Sequence, residues 1–320
     1  LTVPAAEHAL SADEQLMRAQ RAYPKGAISK YLPPADATSS AQFVMHNEGR
    51  EVTVFVDPYR GTVLGEQDAT YNLQAIARAL HGELMIGTTG DRLIELAAGW
   101  GVMLVVSGVY LWWPRGKSSA GVLWPRLGSR GRVFWRDVHA VAGFWGAAFL
   151  LVMPLSGMTW TGFWGKQYAG LWNTFPAAMW NNVPQSDQQA RVLNTATQQT
   201  VPWAMENTPM PMSGDHAEHM NHGAMHAGPA APIIRLQQVV DLASARKVEP
   251  GYSITFPTTA TGVFTVAVFA NDPRNDATLH VDQYTGKVLA DVRWEHYNWV
   301  ARTTETGVML HEGKMFGWVN

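Results

Sequence analysis

Three histidines stand where apolar segments begin. His81 lies in LHGELMIG (80–87) and His311 in LHEGKMFG (310–317), two copies of one pattern: Leu-His, a Gly/Glu pair in either order, then Met and Gly. His139 lies in DVHAVAGFW (137–145). Neutral imidazole is the commonest nitrogen ligand for metals, and an ionisable side chain at membrane depth is costly unless it is used. Gly82, Gly87, Gly143, Gly313 and Gly317 lie close by, and glycine lets a flat group approach the backbone. The matched motifs point to His81 and His311 sharing one metal, and a porphyrin iron is the flat group that suits them. A span of about 20 residues rises about 30 Å, so His139 needs a different partner.

The elements that must position these histidines are apolar helices. Leu96–Trp113 is uncharged over its whole length, and Val138–Trp164 carries no Asp, Glu, Lys or Arg. Both are long enough to cross a bilayer. Ser107-Gly108 and Ser156-Gly157 are small pairs within them that admit close packing by a helix or a porphyrin, and Pro154 predicts a kink. The connecting segment holds Arg115, Lys117, Arg126, Arg130, Arg132 and Arg136 with no acid. A short loop this basic is expected in the cytoplasm, which places the flanking regions outside, in a bacterial periplasm.

Those outer regions repeat each other. VDPYRGTVLGE (56–66) matches VDQYTGKVLAD (281–291), each after an alternating strand-like stretch and each with a turn glycine. Upstream, SADEQLMRAQRAYPKG and LQQVVDLASARKVEPG both read as amphipathic helices closed by Pro and Gly. The chain thus divides into an outer module at 1–70, an amphipathic helix and loop with His81 at 71–90, a transmembrane helix at 91–114 and a basic loop at 115–137. A second transmembrane helix follows at 138–164, then an outer loop at 165–232, a second module at 233–300, and the start of a further transmembrane helix at 301–320. The fold class is a membrane α-helical core with α+β outer modules. Two spans are visible, and four are expected in the complete protein.

Composition narrows the chemistry. The absence of Cys excludes thiolate-held iron–sulfur centres, disulfides and covalent attachment of haem. A net charge of −2 offers nothing to nucleic acid. GTTGDR lacks the Lys and spacing of a phosphate loop, and no Rossmann glycine pattern stands out. The outer loop carries a compositional oddity. Met205, Met210, Met212, Met220 and Met225 are interspersed with His216, His219, His222 and His226, a mixture of thioether and imidazole that suits copper.

On the VDxYxGxVL units, ALHGELMIG, DVHAVAGFWGAAFLLVMPLSGMTW and MLHEGKMFG, the chain resembles the PepSY-associated transmembrane family, which includes haem-containing ferrisiderophore reductases. The resemblance implies that the outer units are PepSY modules. It implies two b-type haems, the outer one ligated by His81 and His311, the inner one by His139 and a histidine on a preceding span. Electrons from an unidentified cytoplasmic or membrane donor would then reduce a periplasmic ferric siderophore at the inner membrane. Reduction releases the metal because Fe(II) is held less tightly by hard oxygen ligands. Two alternatives come from other classes: a copper-binding or copper-reducing membrane protein using the Met/His tract, and a PepSY regulatory module without redox activity.

Overall fold

The computed structural model describes residues 1–114, 121–170, 183–194, 199–214 and 233–315. The chain forms two compact units, Leu1–Ala79 with Trp172–Glu305, and Leu80–Leu171 with Thr306–Asn320.

The first unit is built from two copies of one order of elements. Helix α1 (Ala12–Ala22) precedes β1 (Ala27–Leu32), β2 (Ala41–Asn47), β3 (Arg50–Val56) and β4 (Val63–Asp68). A two-stranded antiparallel sheet, β5 (Gln185–Gln189) with β6 (Pro209–Pro211), comes between the copies. Helix α6 (Leu236–Ala245) then precedes β7 (Ser253–Thr255), β8 (Val263–Val268), β9 (Ala277–Asp282) and β10 (Val288–Arg293). The copies do not close two separate cores. β1 pairs antiparallel with β7, Tyr31 opposite Ile254, and the result is one eight-stranded sheet ordered β10-β9-β8-β7-β1-β2-β3-β4. Each four-stranded copy alone would leave an unpaired edge at β1 or β7, and pairing the two removes both edges.

Alternation in β3 turns Val52, Val54 and Val56 inward, where they join Phe43, Met45, Ile254, Val266 and Leu279 in one core under α1 and α6. The two helices cap each other. Asp13 accepts the backbone N–H groups of Leu236 and Gln237 at 2.9 and 3.3 Å, and the Gln237 side chain accepts the Ala12 N–H at 2.7 Å. Each exchange satisfies donors that a helix start leaves bare.

The repeated VDxYxGxVL pattern has a local cause. Asp57 accepts the N–H groups of Tyr59 and Arg60, as Asp282 accepts those of Tyr284 and Thr285. Tyr59 and Tyr284 donate their hydroxyls to the carbonyls of Ala37 and Ala260 at 2.7 and 2.6 Å. The glycines follow in left-handed backbone, Gly61 at φ +69° and Gly286 at φ +72°. Gly61→Ala places its Cβ 2.9 Å from Leu10 and Arg18, whereas Gly49→Ala, also at positive φ, meets open space. Both substitutions incur about 1–2 kcal/mol of backbone strain. Gly61→Ala is therefore expected to lower the melting temperature more than Gly49→Ala, a comparison that thermal denaturation checks directly.

On β9, His280 is fully buried and its Nδ1 lies 3.0 Å from the Thr265 hydroxyl. Burial lowers its pKa to about 4. Between the unfolded value of about 6.5 and this folded value, the unfolded chain binds a proton that the native state does not. Stability is thus present above pH 6.5 and is lost as pH falls toward 4, by at most about 3 kcal/mol. Melting curves from pH 7.5 to 4.5 are expected to show this decline, and His280→Gln to flatten it.

The second unit holds the long helices α3 (Thr88–Trp112) and α4 (Arg132–Gly157), the latter continued by a 3₁₀ turn to Trp160. Both are long and apolar enough to cross a membrane. Their side chains argue against a buried soluble core, since Trp100, Leu104, Tyr110, Leu111, Trp145 and Phe149 all face outward. The apolar runs understate the helices. α3 begins at Thr88 rather than 91 and includes Asp91, Arg92 and Glu95. α4 begins at Arg132 rather than 138, and its first turns hold Asp137, buried against Arg126 at 2.6 and 2.9 Å and Arg136 at 3.0 Å. Pairing with two arginines is what lets a carboxylate sit at the helix start without solvent. At the same end Trp112 stacks on Phe144 with centroids 4.0 Å apart, and the Trp112 and Trp145 indoles donate to the Val122 and Leu123 carbonyls.

Candidate functional site

His81 and His311 arrive on different helices. α2 (Leu73–Glu83) starts at Asn72, whose side chain accepts the Ala75 N–H, and carries His81 in its last turn. The chain then turns a corner in left-handed backbone at Leu84, Met85 and Gly87. Gly90 completes the corner, because a Cβ there would lie 1.8 Å from the Glu83 carbonyl oxygen. This geometry accounts for the second half of LHGELMIG, residues 84–87. Strained backbone of this kind concentrates at functional sites. α7 (Trp299–His311) starts on the Asn298 side chain, ends on His311, and reverses at Gly313 with φ +70°.

The imidazoles of His81 and His311 face each other with ring centroids 5.9 Å apart and planes inclined by 51°. Two imidazoles bound to one ion stand about 6 Å apart, because each metal–nitrogen bond is about 2 Å and each ring centre lies about 1 Å further. His311 is oriented by its own surroundings. Its Nδ1–H donates to the Met153 carbonyl at 3.0 Å, with the Ser156 hydroxyl at 3.3 Å, which leaves Nε2 as the ring nitrogen that could take a ligand. A carbonyl on the far nitrogen is the usual companion of a metal-bound histidine. Met153 directly precedes Pro154, which sits inside α4 without an N–H to give to the helix ladder. Gly157 lies under the ring, and a Cβ there would come 3.0 Å from the His311 Cε1.

A cavity of about 330 Å³ opens beside the pair, lined by Gly82, Ile94, Ala98, Met153, Pro154 and Met158 among others. That volume lies within the range of small-molecule and cofactor pockets. Two facing imidazoles, a fixed His311 tautomer, an apolar wall and a bare glycine suit a haem held without covalent bonds.

Three residues that the sequence did not single out complete the site. Trp160 stands perpendicular to the His311 ring with centroids 5.1 Å apart. The segment that carries it is clasped by α3: Asp91 accepts the Gly162 N–H, and Glu95, almost fully buried, accepts the Phe163 and Trp164 N–H groups at 2.8 and 3.1 Å. Glu95 thereby caps α5 (Trp164–Gly170) from a neighbouring helix, with Arg92 paired to its other oxygen at 2.8 Å. The signal in the sequence was two carboxylates a turn apart at the head of an apolar run.

The other expected positions divide. Gly82 lines the cavity, and Ser156 contacts His311. Ser107 donates back to carbonyls of its own helix, and Gly108 and Gly143 adjoin open space. Gly87 and Gly313 serve the backbone turns already described. His139 is exposed on α4, 18 residues before Gly157, which is about 27 Å along the helix. Met205, Met210 and Met212 are buried apolar side chains of the first unit. Arg115, Lys117, Gly317, His216, His219, Met220, His222, Met225 and His226 lie outside the described residues. Among the described residues no three His, Asp or Glu gather around a metal-sized site.

A sheet-bearing unit joined to two outward-facing apolar helices, with a histidine-lined cavity at their ends, defines a membrane protein. The chain belongs to the family described as the PepSY-associated TM region, matched over residues 1–320. Comparison with curated proteins gives no match.

Proposed function

We propose that this chain is the haem-holding part of a bacterial inner-membrane electron-transfer protein that reduces ferric siderophore in the periplasm. The observation that carries the proposal is the His81–His311 pair at 5.9 Å, with the His311 Nδ1 proton committed to the Met153 carbonyl. Haem bound there supplies one-electron transfer. The protein's own residues do the rest. His81 and His311 would hold the haem iron through ring nitrogens, the Met153 carbonyl sets the His311 tautomer, and Ile94, Ala98, Pro154 and Met158 would keep water from it.

The arginine-rich segment between α3 and α4 supports a cytoplasmic position for that end, and so a periplasmic one for the His81–His311 end. His139, exposed toward the cytoplasmic end, is the ligand offered to a second haem whose other ligand comes from a further helix. Electrons then pass from a cytoplasmic or membrane donor toward the periplasmic site, where Fe(III) accepts one electron and the siderophore loses its grip. Purified full-length protein is expected to show b-type reduced-minus-oxidised spectra and, once reduced, to release Fe(II) from a ferric siderophore to a ferrous chelator. Absence of haem from the wild type overturns the proposal.

A further inference from the structure

Helix α2 has three faces. Ala75 is buried and Ala79 half-buried on one; Gln74, Arg78 and His81 occupy the second. The third is an apolar stripe at helical spacing, with Leu73 85%, Ile76 36% and Leu80 55% exposed. The stripe is extended by exposed Leu84, Met85 and Ile86 and preceded by exposed Tyr71. A row of large apolar side chains in water marks an interaction surface rather than a solvated one.

The chain names the partner. α3 begins at Thr88, directly after the corner that ends α2, and it turns its own apolar side chains outward as a membrane span does. We propose that α2 lies on the outer surface of the bilayer as an interfacial helix, with Leu73, Ile76 and Leu80 set among the acyl chains and Tyr71 at the headgroup level. Helices with one apolar and one polar or basic face, beside an aromatic residue, bind this region. The consequence concerns His81: seated on the flank of such a helix, it is held at a fixed depth at the membrane surface. The proposal needs the membrane but not the haem, so the two fail separately.

These 320 residues contain no cysteine, so within them every introduced one is a unique label. Full-length protein in phospholipid nanodiscs, spin-labelled in turn at Leu73→Cys, Ile76→Cys, Leu80→Cys, Gln74→Cys and Arg78→Cys, is probed with oxygen and with a water-soluble nickel chelate. Positions 73, 76 and 80 are expected to collide with oxygen several-fold more than 74 and 78, with the order reversed for nickel. Equal access of nickel to all five positions overturns the proposal in favour of a solvated helix. Shielding of 73, 76 and 80 from both reagents overturns it in favour of a covering protein chain. Variants at these exposed positions that elute as the wild type does are suitable for the comparison.

Discussion

His311→Ala is expected to remove one of two b-type haems per protein and to cut siderophore reduction by more than about 100-fold, since losing even an outer partner of a metal ligand costs about 10–100-fold. The magnitude follows from the site's construction. The His311 ring is wedged between the Met153 carbonyl, the Ser156 hydroxyl, Gly157 and the perpendicular Trp160 ring, so its Nε2 has one direction to offer. Alanine removes the nitrogen and leaves His81 on an exposed helix end, unable to hold a haem alone. Pyridine haemochrome quantitation per mole of protein reads the loss. His139→Ala is expected to remove the other haem and leave the outer one spectrally unchanged, because about 27 Å of α4 separates the two levels. A His311→Ala protein that keeps its full haem content would sink the paired-ligand reading.

Glu95→Ala is expected to loosen the segment that holds Trp160 against His311, while Glu95→Gln largely preserves it. The carboxylate accepts the N–H groups of Phe163 and Trp164 at the start of α5, and alanine leaves both donors without an acceptor. Each buried donor left unsatisfied costs about 1–3 kcal/mol. Phe163 and Trp164 are exposed enough for water to recover part of that, which sets the net loss near 2 kcal/mol. In hydrogen exchange this is a drop of about 30-fold in the protection of residues 162–164. Glutamine keeps one acceptor oxygen and loses the charge that pairs with Arg92, an ion pair of modest value at a half-exposed guanidinium. The low-spin electron paramagnetic resonance signal of the outer haem is expected to broaden in the alanine variant and to recover in the glutamine variant. Unchanged exchange at 162–164 in Glu95→Ala would remove the clasp from the account of the site.

The sequence alone determined whatever depends on neighbours along the chain. The two apolar runs identified the two long helices, because eighteen uncharged residues leave little other use for a segment. The VDxYxGxVL repeat announced its turns, because an aspartate capping two N–H groups and a glycine at positive φ act within five residues of each other. The matched His81 and His311 motifs and the family resemblance were legible for the same reason: each lies within a short stretch of residues.

Only the tertiary structure decided which distant pieces meet. That β1 pairs with β7 and fuses two repeats into one sheet depends on two strand edges finding each other over 200 residues, and neither edge carries a local mark. Asp13 capping α6 instead of its own helix is a choice of the same kind. At the site, Glu95 reads in sequence as a charge at the head of a span, and Met153 as one more apolar residue. Their roles come from the backbone groups they offer or receive: the Phe163 and Trp164 amides for one, and the His311 ring nitrogen, 158 residues away, for the other. Main-chain donors and acceptors are the same at every position, so a sequence cannot say which of them a side chain will reach until the helices have packed.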